Sequence, residues 1–188
     1  MYRVTYTMKK ILTFAVVAML MATGSVSTLK AQDGQQQIVL TETVDGSFGA
    51  AWEAVKRAMT EFKCDKPQQE KVIEPAEVDG FYKGLYVSDY CILKTGEDST
   101  AKIMEQYGKL PRIRQGVWIN GRIQFKINVR EEERGKTKVV LKAELSGFEE
   151  FITNAVHFWS SNGILEQRAM DLIKKYTLEE AQKKAADE

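Results

Sequence analysis

The stretch that decides the fold is Arg122–Leu145, RIQFKINVREEERGKTKVVLKAEL. Apolar and polar residues alternate in each of its two arms, and Glu131–Lys136 between them has the composition of a turn. Alternation with a period of two is typical of strands with one buried and one solvated face. The stretch therefore predicts two antiparallel strands. The inward residues are Ile123, Phe125, Ile127, Val129, Val139, Leu141, Ala143 and Leu145.

The alternation of apolar and polar residues continues N-terminal to Arg122 and is expected to end shortly after Leu145. Arg112–Ile119, then Asn120-Gly121, then Arg122–Arg130 predicts a further hairpin, because Asn-Gly favours the type I′ turn. Gly147 is expected to end the second arm. The segment 148–160 is left open, since Phe148, Ile152, Val156 and Trp159 suit a helix while its β-branched content permits an extended path.

Two amphipathic helices flank these strands. Apolar residues from Phe48 to Phe62 recur at steps of four and three, and Asp45-Gly46-Ser47 supplies the N-cap. The last helix follows Ser160–Gly163, with Glu166 in its first turn, where the helix dipole favours a carboxylate. A first strand is predicted over Ile38–Val44 and a short helix over Ser99–Gln106.

These elements predict one α+β domain over residues 38–176. Its architecture is a two-layer sandwich, an antiparallel sheet with two amphipathic helices on one face. Residues 177–188 are predicted to form a polar helical tail that frays into solvent.

The N-terminus has the pattern of a secretory signal peptide. Lys9-Lys10 precedes the apolar run Ile11–Ala22, which is too short to span a bilayer, and small and polar residues follow. We expect residues 1–31 to be removed, with 32–37 as a flexible leader and either Met1 or Met8 as the start. No cysteine stands at the expected cleavage site, so a periplasmic or secreted protein without a lipid anchor or a transmembrane segment is predicted.

Removing residues 1–31 takes away four basic residues and no acidic one, so the net charge falls from +1 to −3. A slightly acidic chain is poorly suited to binding nucleic acid or anionic lipid. Cys64 and Cys91 then remain. Either they form a disulfide, as isolated pairs often do in oxidising compartments, or they are two separate buried thiols.

The aromatic segment Phe81–Leu93 is predicted to be one strand. In that strand Tyr82, Tyr86 and Tyr90 share a face, beside the small residues Gly84 and Ser88. Such a row either forms a binding surface or packs under a helix or loop.

No catalytic, cofactor-binding or metal-binding motif is present in the sequence. His157 is the single histidine, and beside Phe158 and Trp159 it is most simply a packing residue. The sequence therefore predicts a protein that is not an enzyme and has no catalytic, cofactor or metal residues.

Two short segments carry a family resemblance. Val44–Phe62 (VDGSFGAAWEAVKRAMTEF) resembles the opening of small bacterial envelope domains similar to BamC, an accessory of outer-membrane β-barrel assembly, and of related secreted domains of unknown function. Trp159–Glu166 (WSSNGILE) resembles the closing helix of uncharacterised secreted bacterial proteins. The chain lacks the lipidated cysteine of the BamC-like lipoproteins. The order of strand, Trp-containing helix, sheet and long final helix is also similar to the START-like, or helix-grip, ligand-binding fold.

Two functional hypotheses follow. In the first, the protein is a non-enzymatic interaction or scaffold module whose sheet edge, outer face or tyrosine row contacts an envelope protein. In the second, the START-like resemblance implies a carrier that holds a small apolar ligand between the sheet and the C-terminal helix.

Overall fold

The computed structural model describes residues 37–76, 80–95 and 97–187. The predicted signal peptide 1–31 and nearly all of the predicted leader 32–37 lie outside the described residues. The strands are β1 (Leu40–Asp45), β2 (Pro67–Ile73), β3 (Lys83–Ser88), β4 (Cys91–Thr95), β5 (Val117–Glu133), β6 (Lys136–Glu150) and β7 (Ala155–Ser160). The helices are α1 (Phe48–Glu61), α2 (Glu97–Tyr107) and α3 (Ile164–Asp187).

The described strands form one antiparallel sheet around a long central hairpin. The main strand order is β1-β6-β5-β3-β2, while β4 also pairs with β5 and β7 also pairs with β6. Each long strand is thus flanked by two short strands placed end to end. The predicted α+β class and antiparallel sheet are confirmed.

The helices cover one face of this sheet. The inward residues of β5 and β6 predicted from alternation are all buried, and α1 and α3 pack on each other above them. Ser47 caps α1 as predicted, because its hydroxyl accepts from the Ala50 N–H at 3.3 Å. A third helix, α2, covers the β4–β5 end of the same face through Met104, which contacts the position of Gly121.

The predicted hairpin at Asn120-Gly121 is wrong. Strand β5 runs straight through both residues, which pair with Phe148 and Gly147 of β6, and residues 112–116 are not strand. Gly147 likewise lies within β6 and does not end it. The glycines are needed for close approach: a Cβ at Gly121 would collide with Met104, and one at Gly147 would lie 3.0 Å from the Trp118 ring.

The predicted single strand over Phe81–Leu93 is broken between β3 and β4. The break leaves the Phe125 N–H of β5 without a strand partner, and the Ser88 hydroxyl accepts from it at 2.9 Å. A similar gap between β1 and β7 leaves the Ala143 N–H of β6 free, and Glu166 of α3 accepts from it at 3.2 Å. The segment left open by the sequence is extended, as the end of β6, a turn and β7.

Helix α3 continues through the predicted tail. Thr177 is buried, and its hydroxyl donates to the Ile173 carbonyl at 2.7 Å. Arg57 of α1 forms ion pairs with Glu179 at 2.7 Å and with Glu180 at 3.5 Å, so the first turn of the tail rests on α1.

Gly84 of β3 lies directly beneath the Trp52 ring of α1. We expect Gly84→Ala to lower the free energy of unfolding by about 1–3 kcal/mol, because the new Cβ would overlap a rigid, buried ring. Urea unfolding followed by circular dichroism measures this loss.

Gly49→Ala is the matched control. It places the same methyl group on α1 in open space, and alanine favours the helix, so stability should be unchanged or slightly raised. Equal destabilisation by the two substitutions would contradict the packing argument.

Candidate functional site

The three tyrosines singled out from the sequence do not form one surface. Tyr82 stacks on Phe48 with ring centroids 5.3 Å apart, whereas Tyr90 lies in the break between β3 and β4, with its ring centroid 6.1 Å from that of Phe158. Tyr86 is buried, and its hydroxyl donates to the Cys64 carbonyl at 3.0 Å. Burial, together with the negative charges of Glu70 and Asp65, raises the pKa of Tyr86 to about 12, so this phenol stays neutral. Tyr86 therefore has a packing role, the second of the two alternatives.

Cys64 and Cys91 form a disulfide, with their Cα atoms 5.3 Å apart. The bond joins the segment after α1 to the start of β4, and both residues are buried. The alternative of two separate thiols is therefore excluded.

Several exposed apolar side chains lie together on the sheet face opposite the helices, which we call the outer face. At one end of it, Tyr90 and three apolar side chains surround a cleft of about 320 Å³ with Asn120, Arg122 and Ser146, and Ile92 lies beside Arg122. We call this region the apolar end. Its apolar members are Ile92, Phe148, Val156 and Phe158.

Ile92 is 60% exposed and Phe158 is 55% exposed. In the pairing register, Ile92 lies opposite Arg122, which in turn lies opposite Ser146, and Ser146 lies opposite Phe158. Two apolar side chains thus flank one cation and one hydroxyl across four neighbouring strands. Sequence reasoning missed this grouping because the two apolar residues are 66 positions apart in the chain.

The turn between β6 and β7 extends the apolar end. Phe151, 72% exposed, and Ile152 project from this turn. Phe151 and Asn154 both adopt positive φ, at 76° and 49°. Left-handed backbone at a non-glycine residue is unfavourable and persists only where the surroundings impose it.

Buried Glu149 imposes the shape of this turn. Its carboxylate accepts from the Thr153 hydroxyl at 2.6 Å and from the backbone N–H groups of Thr153, Ile152 and Val117 at 2.7, 3.2 and 3.3 Å. Burial alone would raise the pKa of Glu149, but these four hydrogen bonds outweigh it and lower the pKa to about 2.

His157 completes this group of polar side chains. Its Nε2 lies 2.7 Å from the Thr153 hydroxyl oxygen. The single hydroxyl hydrogen is donated to Glu149, so Nε2 of His157 must be the donor in the second bond. The hydroxyl therefore lies between acid and imidazole and is not activated by the histidine, which is the arrangement of a structural network and not of a nucleophile with its base.

Glu149→Gln should flatten the acid end of the stability profile. A carboxylate with a lowered pKa contributes stability above its unfolded value near 4.5, and this stability is lost as the pH falls toward 2. We expect the melting temperature of the wild type to fall more than that of Glu149→Gln as the pH is lowered through this range. Thermal scans at about pH 6, 4.5, 3.5 and 2.5 measure the difference. Parallel profiles would show that Glu149 is not ionised in the fold.

No group of at least three His, Cys, Asp or Glu side chains suited to a metal ion occurs among the described residues. Nor, within that part of the chain, is any helix sufficiently long and apolar to cross a bilayer.

Comparison with known proteins adds little to these observations. No family model matches the chain, and no curated protein sequence is significantly similar to it. Among solved structures, a DUF4468 family protein from Bacteroides ovatus is similar at 11% identity, with a TM-score of 0.30 and coverage of 82% of this chain and 84% of that one.

Proposed function

We propose that this protein is a periplasmic or secreted interaction module, without enzymatic activity, that binds an envelope protein through the apolar end of the outer face. The observation that carries the proposal is the cluster of exposed apolar side chains around the cleft, continued by Phe151 and Ile152. Contiguous apolar surface on a folded protein marks an interaction site more often than scattered apolar residues do.

The turn supports this function because it is held in one conformation. The buried Glu149 carboxylate engages three backbone N–H groups of the turn and of β5, at the cost of left-handed backbone at two residues. Holding Phe151 and Ile152 in a fixed position lowers the entropy lost on binding. The Cys64–Cys91 disulfide supports the proposed location, since such bonds persist in oxidising compartments.

The packing between sheet and helices favours this function over the carrier hypothesis. A START-like carrier would hold its ligand between the sheet and α3. There the Phe62 and Phe125 rings lie 4.9 Å apart, with Arg168 of α3 over the Phe62 ring at 5.2 Å. Trp52 and Tyr86 pack edge to face beneath α1 at 6.4 Å. These side chains fill the layer with ring contacts.

Site-specific photo-cross-linking in the host cell tests the proposal. A photo-reactive phenylalanine analogue at position 92 should give a discrete protein adduct, and Phe158→Ser in the same chain should weaken it, because Phe158 contributes to the same binding surface. The matched control places the analogue at Leu178, which is exposed on α3 in the opposite layer. Equal adducts at both positions, or none at position 92, would overturn the proposal.

A further inference from the structure

The outer face carries rows of basic side chains that lie directly opposite one another. Lys126 of β5 pairs in register with Lys142 of β6, and Arg130 lies between Lys83 of β3 and Lys138 of β6. Side chains of directly opposed residues share a face, about 5 Å apart at Cβ. Like charges in such positions destabilise a sheet. We call these residues the basic rows.

The carboxylates of the same face neutralise only part of the basic rows. Glu132 forms an ion pair with Lys138 at 3.4 Å, and Glu144 is hydrogen-bonded to Tyr90. Within the part of the chain that the structure describes, no carboxylate lies within ion-pairing distance of Lys126 or Lys142. The outer face is therefore locally positive, although the chain without residues 1–31 has a net charge of −3.

The basic side chains continue the apolar end along the sheet. Arg122 lines the cleft, and Lys126 and Arg130 follow it on the same face of β5 at intervals of four residues. Four residues of strand span about 13 Å. An extended peptide has the same repeat, so carboxylates at every fourth residue of such a peptide would meet successive cations of β5.

We infer that the outer face binds an extended acidic segment of the partner protein, with one bulky apolar side chain of that segment in the cleft and its carboxylates on the basic rows. This inference rests on the proposed function and states the chemistry of the partner. The shape of the outer face suits a peptide better than a membrane. The cleft is concave and can take up one side chain of a peptide. A flat bilayer would instead need apolar side chains that protrude as far as the cations do.

The test uses a synthetic fluorescent peptide with one phenylalanine followed by glutamates at every fourth position. Anisotropy titration of the purified protein should show binding that weakens as salt is raised. Lys126→Glu/Lys142→Glu should weaken binding by about tenfold or more, because two attractive contacts become repulsive. The control Lys175→Glu/Lys184→Glu makes the same change in net charge on α3 and should leave binding unchanged.

A second variant guards against misfolding. Lys126→Glu alone places a carboxylate opposite Lys142, a favourable cross-strand pair, so it should fold at least as stably as the wild type and still bind the peptide less tightly. Replacing the peptide's phenylalanine by alanine should also weaken binding, since the cleft would then be empty.

Several results would overturn the inference. These are no binding of the peptide at low salt, equal losses in the outer-face and α3 variants, or binding to phosphatidylglycerol vesicles in place of the peptide. A cross-link at position 92 that survives Lys126→Glu/Lys142→Glu but is lost in Phe158→Ser would leave the proposed function standing and reject the acidic partner. A cross-link at position 92 that persists in both variants would reject the acidic partner and the proposed function together.

Discussion

Replacing Cys64 and Cys91 together by alanine is expected to lower the free energy of unfolding by about 3 kcal/mol, because the bond restricts the unfolded chain across a separation of 27 residues. For a domain of this size, that loss corresponds to a melting temperature lower by about 6–12 °C. Thermal unfolding followed by circular dichroism measures it.

Reduction provides the control for this prediction. A reducing agent should lower the melting temperature of the wild-type protein by a similar amount and leave the double-alanine variant unchanged. A wild-type protein equally stable with and without reductant would contradict a stabilising role for the bond.

Glu166→Ala is expected to cost about 3 kcal/mol of folding stability. Glu166 is fully buried and accepts from the Ala143 N–H at 3.2 Å and from the Ser161 hydroxyl at 2.7 Å. Removing the acceptor leaves the backbone donor unpaired in the gap between β1 and β7, and an unpaired buried donor costs about 1–3 kcal/mol. Urea unfolding measures the change.

Glu166→Gln separates the hydrogen bonds from the size of the side chain. The amide oxygen can still accept from the Ala143 N–H, and the Ser161 hydroxyl can rotate to accept from the amide nitrogen. The glutamine variant should therefore lose clearly less stability than the alanine variant. Equal losses would mean that the carboxylate does not serve the Ala143 N–H.

The sequence predicted the elements whose pattern repeats along the chain. Alternation in β5 and β6 identified their buried residues, and the helical spacing from Phe48 to Phe62 identified α1. These patterns succeed because burial acts on every second residue of a half-buried strand and on one side of a helix. The pair Asn120-Gly121 led to a wrong prediction because an Asn-Gly pair has two uses. It favours a turn in a hairpin, but within a strand its glycine permits the close approach of a side chain, here Met104.

Contacts between segments that are distant in the chain produce no repeating pattern in the sequence, so they could not be predicted. Glu166 was attributed to the helix dipole, yet its carboxylate occupies a gap in the sheet that exists only after β1 and β7 have paired with β6. Glu149 gave no signal either, because its donors include the backbone of Val117, 32 residues away.

The outer face was only partly predictable. The alternation predicted the inward residues of β5 and β6, and it follows that Lys126 and Lys142, which lie between them in the sequence, point outward. That they oppose each other depends on the register, which follows from the turn at Arg134-Gly135 and the bulge between Glu131 and Glu133. A shift of one residue would have moved a lysine to the other face.

The pairing of β1 with β6 also determines when the fold can be completed. Leu40 lies beside Leu141, 101 positions later in the chain, and α1 packs on α3, which is also far downstream. The β5–β6 hairpin joins neighbouring segments, so it can form early and locally. As the chain leaves the ribosome, β1 and α1 therefore emerge about 100 residues ahead of the strand and helix that cover them, and until then their apolar sides have no partner.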